Sequence, residues 1–274
     1  MAKSSKELLL KSKKQVYSER LGNHASLFQG EGFEFSELRE YIYGDDIRKI
    51  DWKTTAKLGK PYVKVYHEER ELNVVVLSIV GGSMFFGSSR QKSELMAELI
   101  SDIGLSAIKF GDRFSHFLVA DKLYEYVKPT KKEYGVYSAL ESLGDFEMIG
   151  KEGDFEMAKE VIHKYVKSKS LIFILSDFVG DVDFGTLSKK HDIVSIIIRD
   201  RLEEEPLELG AIGLVDLEDL KPYSGNMTGS MIASYKEVMV QNDKKLIEGF
   251  KRQGIRWLKV YTDDDAYLKL ARGL

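Results

Sequence analysis

NVVVLSIVGGSM, residues 73–84, decides the fold: a near-continuous apolar run enters a pair of glycines and a serine. QKSELMAELISDIGLSAIKF, residues 91–110, then changes the period. In that second stretch Leu95, Met96, Leu99, Ile100, Ile103 and Ile108 fall at helical spacing. A strand apolar on both sides is of the kind buried between two layers of helices. The pair is therefore one strand-to-helix unit, and the unit repeats. FSHFLVA (114–120) is the next strand, LYEYV (123–127) alternates as its hairpin partner, and residues 134–143 form a short helix. An amphipathic helix at 155–166 leads into SLIFILSD (170–177). A short helix near 183–190 leads into DIVSIIIR (192–199), a long one near 232–253 into RWLKVY (256–261), and a helix at 264–271 closes the chain. Parallel strands need crossover connections, so the rhythm predicts a doubly wound, Rossmann-like α/β domain over residues 71–274, mostly parallel, with helices on both faces. Ligands in such sheets bind beyond the carboxyl ends of the strands, where the winding reverses, which directs attention to the residues after Ile79 and to Ser176 and Asp177. Residues 1–70 lack this rhythm: a basic helix near 6–17, a glycine-rich acidic block, then the strand-like PYVKVYHEE. They are expected to form a small N-terminal appendage or subdomain.

Composition bounds the function. The 274 residues carry 41 Lys plus Arg against 44 Asp plus Glu, which offers no general attraction for nucleic acid or membrane surfaces. There is no cysteine, so disulfides, thiolate zinc sites and cysteine nucleophiles are excluded, and a cytoplasmic location is expected. The only uninterrupted apolar run near the start is Leu8 to Leu10, and no stretch approaches the ~18 apolar residues of a membrane helix; neither export nor membrane insertion is expected.

A strand ending in Asp-x-Ser-x-Ser, with a second Asp after a later strand, is the scheme by which von Willebrand factor type A domains hold Mg²⁺. Residues 79–83 resemble that scheme with parts replaced: Ile79 stands for the leading Asp, Gly81 for the first Ser, and Ser83 alone is retained. ILSDF at 174–178 supplies the second acid as Asp177, and Thr130, before the helix at Tyr134, is a further candidate ligand by position. Mg²⁺ prefers octahedral oxygen ligands with one or two carboxylates. With the leading carboxylate gone, no tight metal and no cofactor are expected, although weak or partner-completed Mg²⁺ binding stays open. The simpler reading is that Ser83 and Asp177 cap the helices that follow their strands.

The densest signal is GEGFEFSELREYIYGDDIRKIDWKTTAKLGKPYVKVYHEER at residues 30–70. It resembles the signature of the bacterial domain of unknown function 58 family, through Gly30, Gly32, Glu34, Phe35, Leu38, Arg39, Tyr41, Gly44, Asp45, Asp46, Arg48, Ile50, Asp51 and Trp52. The resemblance extends past residue 71, where it implies a von Willebrand A-like domain. It also implies a non-enzymatic interaction module working with a MoxR-type AAA+ ATPase, and with other von Willebrand A-domain proteins, in the assembly or activation of further proteins. The interaction residues it singles out are Glu34, Arg39, Tyr41, Asp45, Asp46, Arg48, Asp51 and Trp52.

Read from the residues themselves, the block is a rigid polar platform. Arg39, Arg48 and Arg70 can fork Glu34, Asp45, Asp46 or Asp51, and Gly44 opens a turn with Asp45 and Asp46. Most of these charges are read as an internal network locking the appendage to the α/β domain, with several left for a partner, and Trp52 as a core anchor.

A competing enzyme reading takes Asp45, Asp46, Asp51 and Lys53 as an Mg²⁺-dependent hydrolase or nuclease centre, Asp51-Trp52-Lys53 having the Asp-x-Lys form. Against it, the acids sit too close in sequence for the usual strand hairpin. No Walker A sequence is present, so ATP hydrolysis would belong to a partner. The five histidines show no metal-ligand spacing, His116 is expected in the core, and the Glu203 to Glu205 run is expected to be a solvated loop.

Overall fold

The computed structural model describes residues 5–18, 37–65, 71–208 and 210–273. By its internal contacts the chain divides into two units, residues 28–71 and residues 1–27 with 72–274.

The larger unit holds β3 to β10 and most helices. Numbered along the whole chain, these are α1 (Ser5–Ser18), β3 (Asn73–Ile79), α3 (Lys92–Lys109), β4 (Arg113–Val119), β5 (Leu123–Thr130), α4 (Glu133–Asp145), α5 (Phe155–Tyr165) and β6 (Leu171–Ser176). There follow α6 (Gly185–Ser188), β7 (Asp192–Arg199), α7 (Arg201–Glu204), β8 (Gly210–Val215), β9 (Pro222–Met227), α8 (Gly229–Arg252), β10 (Arg256–Tyr261) and α9 (Ala266–Gly273). The smaller unit holds β1 (Glu37–Glu40), α2 (Trp52–Leu58) and β2 (Tyr62–Val65).

Six strands form one sheet in the order β10-β7-β6-β3-β4-β5. All neighbours are parallel except β4 and β5, the antiparallel hairpin at the edge. The expected mostly parallel α/β sheet is therefore present. The chain winds from β3 outward through β4 and β5, then returns to lay β6 on the opposite side of β3, so the winding reverses between β3 and β6.

Alternation of side chains assigns the two faces. Val75, Leu77, Ile79, Ile172, Ile174, Ile193 and Ile197 share a core with Ala158, Val161 and Ile162 of α5, Leu187 of α6 and Phe250 of α8. On the other face α3 lies against β3 and β4 and is itself covered by α1, α4 and α9. This explains why α3 is buried nearly all round, polar residues Glu98, Ser101, Asp102 and Ser106 included.

α1 contributes Leu8, Ser12 and Val16, buried at a four-residue spacing that makes one helical stripe. The N-terminal helix thus belongs to the α/β unit. The expected division at residue 70 is corrected on this point: only residues 28–71 stand apart, because α1 has an apolar stripe that covers α3. His116 is fully buried, with Nε2 3.0 Å from the Ser78 hydroxyl, and burial lowers its pKa to about 3, so it is a neutral core histidine.

In the smaller unit β1 and β2 pair antiparallel, Glu37 opposite Val65. Glu34, Arg70 and the glycines at 30 and 32 lie outside the described residues. No helix among the described residues is long and apolar enough to cross a membrane.

Candidate functional site

Two places carry the expected site residues: the signature segment and the crevice between the carboxyl ends of β3 and β6.

In the signature segment Asp45, Asp46 and Asp51 each have a local partner. Arg39 forks Asp45 at 2.8 and 2.7 Å, and Asp45 also accepts the Ile42 N–H at 2.9 Å. The Arg39 hydrogen bond, with the Ile42 N–H, holds the Asp45 carboxyl below its ordinary pKa. Gly44 turns the chain there at φ 109°, a conformation that favours glycine. Asp46 takes Nε and a terminal nitrogen of Arg48 at 3.1 Å each and caps the following 3₁₀ turn through the Arg48 N–H. Asp51 caps α2, accepting from the Lys53 and Thr54 N–H groups at 3.1 and 3.3 Å. Tyr41 is half-buried, its N–H bonded to Pro61 O at 2.8 Å.

The three acids of the hydrolase alternative, Asp45, Asp46 and Asp51, thus bond three different local partners, and among the described residues they form no metal-binding group with one another. A further expectation fails: Trp52 is 66% exposed and no residue of α2 is buried, so it is not a core anchor. The forks of Arg39 on Asp45 and of Arg48 on Asp46 each close on an acid a few residues away and stiffen the segment. Tyr43 is 99% exposed, and Ile42 and Ile47 are exposed beside it in sequence.

The crevice is built by the turn after β3, the start of α3, the end of β6 and α7. Ser83 lies in a 3₁₀ turn, Gly82–Phe85, just after β3, and its hydroxyl donates to Asp177 Oδ2 at 2.6 Å. Lys92, the first residue of α3, is wholly buried and places Nζ 3.0 Å from the same Asp177 oxygen and 2.6 Å from Glu203 Oε1 on α7. Burial alone would raise the Asp177 carboxyl, but Lys92 and the Ser83 hydroxyl hold it below its ordinary pKa. Phe178, next along, has a φ of 53°, unusual for an aromatic residue. Ser83 and Asp177 therefore bind each other, and neither caps a helix as expected.

Thr130 lies opposite Phe114 at the start of β4, because β5 runs antiparallel; it is at the other edge of the sheet and takes no part. Glu203 is not in a solvated loop but is the second acid on Lys92.

Above the crevice sits the tip of the β8–β9 hairpin. A Cβ on Gly82 would come within 1.9 Å of Leu217 O, and one on Gly81 within 3.0 Å of Glu218 Oε1 and 3.1 Å of Lys151 O. Gly82 also donates its N–H to Lys151 O at 2.8 Å. Gly81, which replaces a serine of the metal scheme, and Gly82 beside it thus make room for the hairpin. Burial raises the Glu218 carboxyl, opposed by Ser83 and assisted by the Asp177 charge. Gly82→Ala is expected to cost about 1–3 kcal/mol through overpacking against backbone that cannot rotate away. An unchanged denaturation midpoint would refute this placement of the hairpin.

The neighbouring charges are ordered as well. Asp200 accepts the Ser88 N–H and hydroxyl at 2.8 and 2.9 Å and the Thr262 hydroxyl, so it ties β7, the approach to α3 and β10 together. Arg199 pairs with Asp243 at 3.2 Å, and Lys259 bridges Asp243 and Glu204.

Mg²⁺ does not fit this donor set. The cation position on Asp177 is taken by the Lys92 ammonium, and a divalent ion there would bring two cations to one carboxylate. Among the described residues no group of three or more His, Asp or Glu has metal-binding geometry.

A family model described as Protein of unknown function DUF58 matches residues 37–236. The chain belongs to this family. The matched DUF58 span opens at β1 and closes inside α8, so it takes in the described signature segment and the whole crevice. Uncharacterized protein Mb1516 of Mycobacterium bovis and Uncharacterized protein Rv1480 of Mycobacterium tuberculosis are each 24% identical over 204 residues, covering 72% of this chain. The chain spans 64% of the length of these curated relatives. Among solved structures, an aerotolerance-related membrane protein from Bacteroides fragilis aligns over 74% of this chain and 96% of its own, at 12% identity and a TM-score of 0.46. Conserved hypothetical protein BatB from Bacteroides thetaiotaomicron aligns over the same shares at 12% identity and a TM-score of 0.44.

Sequence reasoning missed Lys92, Glu203, Glu218 and Asp200. One local signal existed for Lys92: a cation in the first turn of a helix opposes the helix dipole, so it needs an acid to hold it.

Proposed function

We propose that this DUF58 chain is a non-enzymatic protein-interaction module of the von Willebrand A-like class, docking a MoxR-type AAA+ ATPase through its signature segment. The carrying observation is the division of labour within that segment. Its acids and arginines are occupied by forks and helix caps, whereas Trp52 and Tyr43 project outward. Rigid aromatic side chains on a pre-ordered polar frame are what binding hot spots are made of. In this reading the module works in the cytoplasm, where ATP is available to the partner, and takes no part in the chemistry itself. Other von Willebrand A-domain proteins are the second partner class, and neither nucleic acid nor a membrane is engaged.

Affinity capture with ATP and with ADP, and identification of the bound ATPase by mass spectrometry, tests the partnership. The unaltered chain should recover a MoxR-type AAA+ ATPase, and Trp52→Ala with Tyr43→Ala should weaken capture by about tenfold or more, the effect of ~1.4 kcal/mol or greater. Recovery of no such ATPase would refute the partnership; equal recovery by the double variant would refute the docking surface. Assays of nucleic acid and phosphoester hydrolysis with Mg²⁺ or Mn²⁺ should stay blank, and activity lost in Asp51→Ala would restore the hydrolase reading.

A further inference from the structure

In an open α/β sheet, the crevice where the winding reverses is where a ligand sits; here it already holds a positive charge. Lys92 Nζ lies 3.0 Å from Asp177 Oδ2 and 2.6 Å from Glu203 Oε1, its side chain wholly buried, and the Ser83 hydroxyl reaches the same Asp177 oxygen at 2.6 Å. We propose that the Lys92 ammonium is the resident cation of this edge: a tethered charge stands where the metal scheme this sequence resembles would put Mg²⁺, and keeps the crevice permanently loaded and metal-independent. The inference stands whether or not the signature segment docks an ATPase.

Three features fit one another under this assignment. The leading carboxylate of the scheme is replaced by Ile79, which is buried in the apolar core opposite Val119, and a site with one fewer strand-end acid matches a monovalent ammonium better than a divalent ion. The first serine is replaced by Gly81, where a Cβ would already press on Glu218 and on the backbone of Lys151 and Gly153, so the hydroxyl of the scheme would have to displace its neighbours. The lysine is placed at the first position of α3, electrostatically the wrong end of a helix for a cation, and the two acids account for it. The ammonium links the end of β6 to α7 directly, and the Ser83 hydroxyl brings the turn after β3 onto the same Asp177 oxygen.

Mn²⁺ titration by calorimetry, with free ion followed by electron paramagnetic resonance, decides the point. The unaltered chain should bind no Mn²⁺ at this edge even at millimolar metal. Lys92→Ala should acquire a site about tenfold or more tighter than anything in the unaltered chain, and Lys92→Ala with Asp177→Asn should lose it again. Asp177-dependent Mn²⁺ binding by the unaltered chain would overturn the proposal, as would a folded Lys92→Ala that binds no better. If Lys92→Ala does not fold in metal-free buffer, recovery of folding on adding Mn²⁺ supports the assignment, and failure to recover refutes it.

Discussion

Lys92→Met should lower the unfolding free energy by about 3–5 kcal/mol, the usual penalty for leaving half of a buried ion pair without its partner. Methionine keeps most of the volume and the unbranched stem, so little of the loss comes from a cavity. What is lost is the charge between Asp177 and Glu203, which are then left facing each other at a site that is 6% exposed at Asp177. The same principle says the intact pair is worth much less than this, because burying it in the first place costs desolvation. Lys92→Met combined with Asp177→Leu should therefore lose less than the sum of the two single losses, a coupling that a double-mutant cycle reads directly. Guanidinium denaturation at constant slope is the measurement. A Lys92→Met midpoint indistinguishable from that of the unaltered chain would show that the acids are solvated and the lysine is incidental.

That a lysine should hold this position could not be read along the chain, whereas the frame around it could. Apolar runs such as residues 73–79 and 171–176 declare themselves locally, since a strand buried on both faces has no polar side to show, and the change to helical spacing at Leu95, Met96 and Leu99 is equally local. Contacts between distant segments leave no such mark. Glu98, Ser101 and Asp102 look like the solvent face of α3, yet are buried because α1 and α9 lie over that helix. The glycines at 81 and 82 look like a decayed metal motif, and their physical reason, the tip of the β8–β9 hairpin, comes from about 135 residues later in the chain. Trp52 was misread in the opposite direction: a tryptophan amid charges suggested an anchor, but Asp51 caps α2 so that the first helical residue faces outward. The acids of the signature segment are legible as a network, and a fork such as Arg39 with Asp45 closes within a single turn.

Asp102→Asn should stabilise the protein at alkaline pH and do little in acid. Asp102 is wholly buried on α3, against which α1 packs, and neither carboxyl oxygen has a hydrogen-bond partner among the described residues. Desolvation raises its pKa from 3.8 to about 7; Ser12 and Lys11 of α1 oppose the shift, and the charges of Glu98 and Asp265 add to it. The Ser12 hydroxyl is near enough to matter electrostatically but is not in bonding geometry, and Lys11 is engaged with Glu98. Because the folded-state pKa lies above the unfolded one, the folded chain binds the extra proton between about pH 4 and pH 7. Stability is therefore lost as pH rises through that window, the reverse of the usual behaviour of a carboxylate paired with a cation. A one-unit difference is worth 1.36 kcal/mol, so between pH 5 and pH 8 the unaltered chain should lose roughly 2–3 kcal/mol through this group alone. Asparagine has the same shape and no charge to desolvate, so its midpoint should pull ahead of the aspartate by about that amount over the same interval. In a chain of this size that is a difference in melting temperature on the order of 5–10 °C at pH 8, shrinking towards zero as the pH approaches 4. Parallel melting curves for the two proteins across the range would mean that water or a cation reaches Asp102, and that α1 does not seal the outer face of α3.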